Sequence, residues 1–273
     1  ILSNPEGLIQ DYVKLTPHQL NHSVGRNTDY EWRFYTQPTP GSENDPATPY
    51  LDYVTTPTYS LESGFYTSSI QLLIDCSHPD VEIYYTVDGS LPDENSIYYG
   101  YTDSAGVLFS EGAIDVGVTT VVRAIAISQD AGFLDSFVET NTYFIDASHG
   151  VYVVSIAGEE VDNLINGAYG SRPVGSFEIF APSGELIDEA LGEFNKHGND
   201  SWAYDQRGLD YITRDQYGYN YAINDKLFTT KDRDSYQRLI LKAAANDNYP
   251  ETFGSPAHIR DSYIHSLSQV GGL

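Results

Sequence analysis

Short runs of alternating apolar and polar residues dominate the chain. A period of two predicts strands with one buried face. Leu8-Ile9-Gln10-Asp11-Tyr12-Val13 is the first such run. Residues 1–44 predict two or three strands, too few for an independent core. Pro46, Pro49 and Pro57 then punctuate residues 45–57, which carry little apolar periodicity. Proline restricts itself and the residue before it to extended geometry, so this stretch reads as a semi-rigid linker. Between 58 and 146 the runs Val81-Glu82-Ile83-Tyr84-Tyr85-Thr86, Thr119 to Ala126 and Phe137 to Phe144 predict a self-contained antiparallel sandwich. Asp88-Gly89-Ser90 and Pro92 follow the first run as the composition of a tight hairpin turn.

From 147 onward the pattern becomes mixed. Val151 to Ile156, Gly175 to Phe180, Leu209 to Ile212 and Arg238 to Leu241 predict strands, and Glu159 to Asn166 predicts a short helix. Ser255-Pro256 opens a second predicted helix over His258 to Leu267, where Ile259, Tyr263, Ile264 and Leu267 fall at helical spacing. The predicted fold class is therefore mainly β: immunoglobulin- or fibronectin-III-like sandwich modules followed by the first part of an α+β domain.

Composition strengthens the sheet-rich reading. The 273 residues include 23 Tyr against 11 Phe and 2 Trp, and tyrosine suits strands with one buried and one wet face. A net charge of −25 repels phosphate backbones, which argues against nucleic-acid partners. Cys76 is alone, so no internal disulfide forms, and its place after Ile70-Gln71-Leu72-Leu73-Ile74 predicts a buried structural thiol. No apolar run is long enough to span a membrane. The start at Ile1, the lack of methionine and the stop just after the last predicted helix lead us to expect a fragment of a larger exported protein.

Three resemblances follow in order. His22-Ser23-Val24-Gly25-Arg26, Trp32 and Pro38 to Asn44 resemble the end of a lamin-tail domain, an immunoglobulin-like module. Residues 58–146 resemble the chitobiase or β-hexosaminidase C-terminal domain, a fibronectin-III-like accessory module. That likeness is carried by Ser63-Gly64-Phe65-Tyr66, Ile83 to Pro92, Val122-Arg123-Ala124 and Thr142-Tyr143-Phe144. Residues 147–273 resemble the front of a CotH-type kinase domain through Val153 to Ile156, Arg172-Pro173-Val174, Phe177 to Phe180, His197 to Ser201, Tyr217-Gly218, Lys226-Leu227-Phe228, Arg238 to Leu241 and Arg260-Asp261.

The order implies a secreted or cell-surface bacterial protein. Its partners would be other extracellular or cell-surface proteins, or polysaccharide. Rival readings are a non-enzymatic adhesion protein and a carbohydrate-binding accessory to a glycosidase.

Phosphoryl transfer needs a cation on the nucleotide phosphates and acids holding a divalent metal. The CotH resemblance puts Arg207 at the family's lysine position, with Lys196 or Lys226 as rivals, and lets Asp261 orient that cation. Guanidinium keeps the charge of the lysine but not its compact geometry. The family's metal-holding acids lie beyond the last predicted helix. The resemblance thus implies ATP and a divalent metal for the parent protein, with no cofactor, metal site or catalytic residue in this stretch. His197 near Asp200 and Ser201 reads as a turn histidine, and Asp88-Gly89-Ser90 as a hairpin turn rather than a calcium loop. Asn21-His22-Ser23 and Asn199-Asp200-Ser201 match the glycosylation acceptor pattern.

Overall fold

The computed structural model describes residues 1–14, 16–44, 49–199, 202, 206–218, 220–228, 231–243 and 259–270, with backbone alone at 216 and 261. It is mainly β, as the alternating runs predict. Two short hairpins open the chain, Leu2–Ser3 with Ile9–Asp11 and Ser23–Arg26 with Trp32–Tyr35. They have little core of their own. Phe34 instead packs with Tyr53, Leu134 and Phe137, and Gln19 donates to the Asp135 and Ser136 carbonyls at 3.1 and 2.9 Å.

The central unit is a six-stranded sheet in the order Leu108–Ser110, Ile97–Thr102, Val81–Thr86, Thr120–Ser128, Glu139–Ile145, Gly64–Tyr66. Alternation in Val81–Thr86 turns Val81 and Ile83 inward, both with no exposed surface. They meet Tyr99, Ala124 and Ala126 of the same sheet, and Val54, Ile74 and Cys76 of the opposite layer. The Ile74 amide donates to Tyr99 Oη at 3.0 Å, tying the two layers together. Tyr84 and Tyr85 both lie in this interior strand, and Cys76 is buried.

Three expectations for this unit are corrected. The sandwich is not wholly antiparallel, because Gly64–Tyr66 runs parallel to Glu139–Ile145 and Asp52–Tyr53 runs parallel to Phe133–Leu134. Residues read as linker therefore join it, since Val54 is apolar enough to be drawn into the core. The turn after Thr86 is not a tight hairpin either, because the next strand begins at Ile97. Two side-chain-capped turns fill the gap: Asp88 Oδ1 accepts from the Ser90 amide at 3.1 Å, and Asp93 Oδ1 from the Asn95 amide at 2.9 Å.

The third unit is a five-stranded antiparallel sheet in the order Val153–Ala157, Val174–Phe180, Leu186–His197, Gly208–Ile212, Arg238–Leu241. The helix Glu159–Asn166 covers one face through Val161 and Leu164. Phe177 stacks on Tyr211 with centroids 4.4 Å apart, and Phe194 joins them. Leu186–His197 is the middle strand, and the hydrophobic pattern does not predict it. Its opposite face carries Glu189 and points at the sandwich, so no apolar alternation marks that side.

Gly192 sits where a Cβ would meet Tyr211 Cε2 at 2.3 Å and the Ile212 carbonyl at 2.8 Å. Gly192→Ala is expected to destabilise the protein by about 2 kcal/mol, because the buried Tyr211 ring has nowhere to go. An unchanged urea midpoint in this variant would contradict the close approach. The last helix spans Arg260–Val270, and Ser255 to His258 of the predicted helix lie outside the described residues.

Candidate functional site

Strand register brings Lys196 and Arg207 together. Lys196 pairs with Leu209 across the two neighbouring strands, while Arg207 immediately precedes Gly208, the partner of His197. Both cations lie over the same aromatic pair. Lys196 Nζ is 5.5 and 5.3 Å from the Tyr169 and Trp202 centroids, and the Arg207 guanidinium carbon is 5.7 and 5.8 Å from them. Arg207 Nη1 also donates to the Ile165 carbonyl at the end of the first helix. Trp202 is fixed from below, its indole N–H shared between the His197 and Gly208 carbonyls at 2.9 and 3.0 Å.

The other sequence candidates fall elsewhere. Lys226 is exposed beyond the sheet. His197 Nδ1 stands 3.3 Å from Asp210 Oδ1, whose Oδ2 accepts from Arg238 at 2.8 Å. The Asp200 and Ser201 neighbours of His197 lie outside the described residues, as does the side chain of Asp261 on the Arg260–Val270 helix. Asp88 accepts from both the amide and the hydroxyl of Ser90.

A second cluster was not singled out from the sequence. The polar face of the five-stranded sheet packs against the strand Glu139–Ile145, where Glu139, Glu178 and Glu189 come together around one cavity. Glu178 and Glu189 are direct cross-strand partners. Glu178 is 1% exposed; its Oε1 accepts from Ser63 Oγ at 2.5 Å and from the Thr142 amide at 3.1 Å, and its Oε2 meets the Thr142 hydroxyl. That amide lies one residue before the parallel ladder with Gly64–Tyr66 begins, and it is shared between Glu178 Oε1 and, at 3.2 Å, Ser63 Oγ. Glu139 and Glu189 line this cavity of about 170 Å³ with Phe137, Leu191, Tyr217 and Asn220.

Burial foremost, then the neighbouring carboxylates, pushes Glu139 up to about 7 and Glu189 up to about 8. Burial pushes Glu178 up as well, against its hydrogen bonds from Ser63 and Thr142. Among the described residues no group of acids, histidines or cysteine is arranged to hold a metal.

The third feature is an aromatic strip on the outer face of the six-stranded sheet, beyond the part the third unit covers. Tyr84 pairs with Tyr98, ring centroids 5.4 Å apart, and Tyr101 stacks on Phe109 at 5.0 Å and 14°. Tyr101 and Phe109 remain 44% and 47% exposed. Tyr84 Oη donates to Glu82 Oε2 at 3.0 Å, and Glu94 and Glu111 lie close enough to act electrostatically on Tyr84 and Tyr98 respectively.

Residues 61–134 match the chitobiase/beta-hexosaminidase C-terminal domain family, a span that contains the whole aromatic strip. No curated protein and no solved structure matches the chain. Among the described residues, no helix is long and apolar enough to cross a membrane.

Proposed function

We propose that the chain is a non-catalytic stretch of an exported, surface-associated CotH kinase-like protein, in which β modules present a binding surface to extracellular proteins or polysaccharide. The lamin-tail and CotH parts of this reading rest on the ordered motifs of residues 1–44 and 147–273. One observation carries the non-catalytic part: Arg207, at the family's lysine position, is committed to the Ile165 carbonyl and to the Tyr169–Trp202 pair. A phosphate would have to displace these contacts, and a planar fork does not reproduce the lysine geometry. The carbohydrate-accessory reading is favoured by a separate observation, the family match over residues 61–134.

Titration calorimetry with ATP and magnesium or manganese is expected to show no binding, and labelled nucleotide no autophosphorylation. Micromolar nucleotide binding would overturn the reading. Should that binding vanish in Lys196→Ala and persist in Arg207→Lys, the phosphate contact belongs to Lys196.

A further inference from the structure

Four aromatic residues stand on one outer sheet face where a soluble module ordinarily carries polar ones. Their place follows from register. Glu82, Tyr101 and Phe109 form one cross-strand row, and Tyr84 with Tyr98 forms the next. Ile127 and Ile125 extend these rows on the fourth strand. On that same strand Arg123 marks the end of the strip, buried beneath the Asp88-Gly89-Ser90 turn, where it donates to the Gly89 carbonyl at 2.9 Å. Tyrosine and phenylalanine exposed together in this way mark a contact surface rather than scatter.

We propose that Tyr84, Tyr98, Tyr101 and Phe109 form a docking strip for an uncharged polysaccharide. The choice of ligand rests on polysaccharide being among the partner classes proposed above; the location of the strip does not. Charge is the first argument. Glu82, Glu94 and Glu111 rim the rings in a chain of net charge −25, which turns away anionic glycans and nucleic acids. Size is the second. Three strands are roughly 10 Å across and six residues of strand roughly 20 Å long, giving about 200 Å². A stable protein–protein contact covers about 800 Å² on each partner. A single polysaccharide chain fits that narrow track. The third argument is chemical pairing. Pyranose rings offer C–H faces to aromatic rings and hydroxyl donors to carboxylates. Glu82, which takes the Tyr84 hydroxyl on one oxygen, keeps the other for a sugar hydroxyl.

Affinity electrophoresis of the full chain through gels containing hydroxyethylcellulose, xylan, mannan, laminarin, soluble glycol chitin or alginate tests this directly. Retardation is expected in at least one of the neutral gels and not in alginate. Tyr101→Ala and Phe109→Ala are each expected to weaken it by about tenfold, while Tyr101→Trp keeps it. Because both side chains are nearly half exposed, the folded state of each variant is confirmed by an unchanged urea midpoint. Retardation by no neutral polysaccharide, by alginate alone, or equally in Tyr101→Ala would overturn the proposal. Capture of a lysine-rich peptide instead, lost in the same variants, would assign the strip to a protein partner and overturn it too. None of these readouts involves nucleotide, so failure here is separate from failure of the non-catalytic reading.

Discussion

Raising the pH from about 5 to about 9 is expected to lower the stability of this protein by roughly 3 kcal/mol or more, with most of the loss below pH 8. The source is the carboxylate trio between the sandwich and the five-stranded sheet, buried Glu178 with half-buried Glu139 and Glu189. Glu139 and Glu189 have an ordinary midpoint of 4.5, but the folded protein keeps them protonated up to about 7 and about 8. Between those limits the folded state binds more protons than the unfolded chain. Stability is therefore greatest below 4.5, declines through the window, and takes no further loss from these groups above it. One such proton is worth about 1.36 kcal/mol per pH unit, which gives roughly 3 kcal/mol for Glu139 alone. The effects do not simply add, since each glutamate contributes to raising the other.

Other charges facing the trio are Glu62 and Asp188, which add to the repulsion, and buried Arg123, which acts on the nearby Tyr59. Urea midpoints across this range, in the natural chain and in a Glu139→Gln/Glu189→Gln variant, check the origin. The double variant is expected to lose most of the slope, keeping the part that Glu178 carries. A slope as steep as that of the natural chain would place the pH dependence elsewhere.

Much of this architecture is legible in the sequence wherever one face of an element is apolar and the other wet. Val81-Glu82-Ile83, the Thr119 to Ala126 run and the Glu159 to Asn166 helix all declare themselves this way. The pattern fails where both faces are covered by different things. Leu186–His197 has Ala190 and Phe194 toward the helix but Glu189 and Leu191 toward the cavity, so neither period stands out. Gly64–Tyr66 is too short to reveal that it pairs in parallel with a strand far along the chain.

The site had one readable signal. In Phe177-Glu178-Ile179-Phe180 a carboxylate sits inside an apolar strand, which places it on the face opposite Phe177 and predicts a polar partner there. The convergence of Lys196 and Arg207 was hidden for another reason. It depends on the register between two strands, which no local pattern records.

Truncating the buried glutamate is expected to have the largest effect of any single substitution at the joint. Glu178→Ala should destabilise the protein by about 3 kcal/mol, because the Ser63 hydroxyl then loses its acceptor and the Thr142 amide keeps only Ser63 Oγ, in a site closed to water. Glu178→Gln should cost under about 1 kcal/mol. Burial favours the protonated acid, and the amide has nearly its shape. Its carbonyl accepts from Ser63 and the Thr142 amide as Oε1 does. Its NH₂ donates to Thr142 Oγ1, which stays 2.7 Å from Ser155 Oγ on the first strand of the third unit.

The contrast between the two variants separates lost hydrogen bonds from lost charge, since both remove the ionisable group. Hydrogen exchange at the Thr142 amide supplies a local readout, expected to quicken in Glu178→Ala and to stay protected in Glu178→Gln. If alanine proves as mild as glutamine, the Ser63–Glu178–Thr142 network does not hold the two units together. The joint would then rest on the Phe65–Phe144–Phe180 ring cluster beside it, whose centroids lie 4.4 to 5.8 Å apart. Phe180→Ala would in that case become the variant that frees the modules.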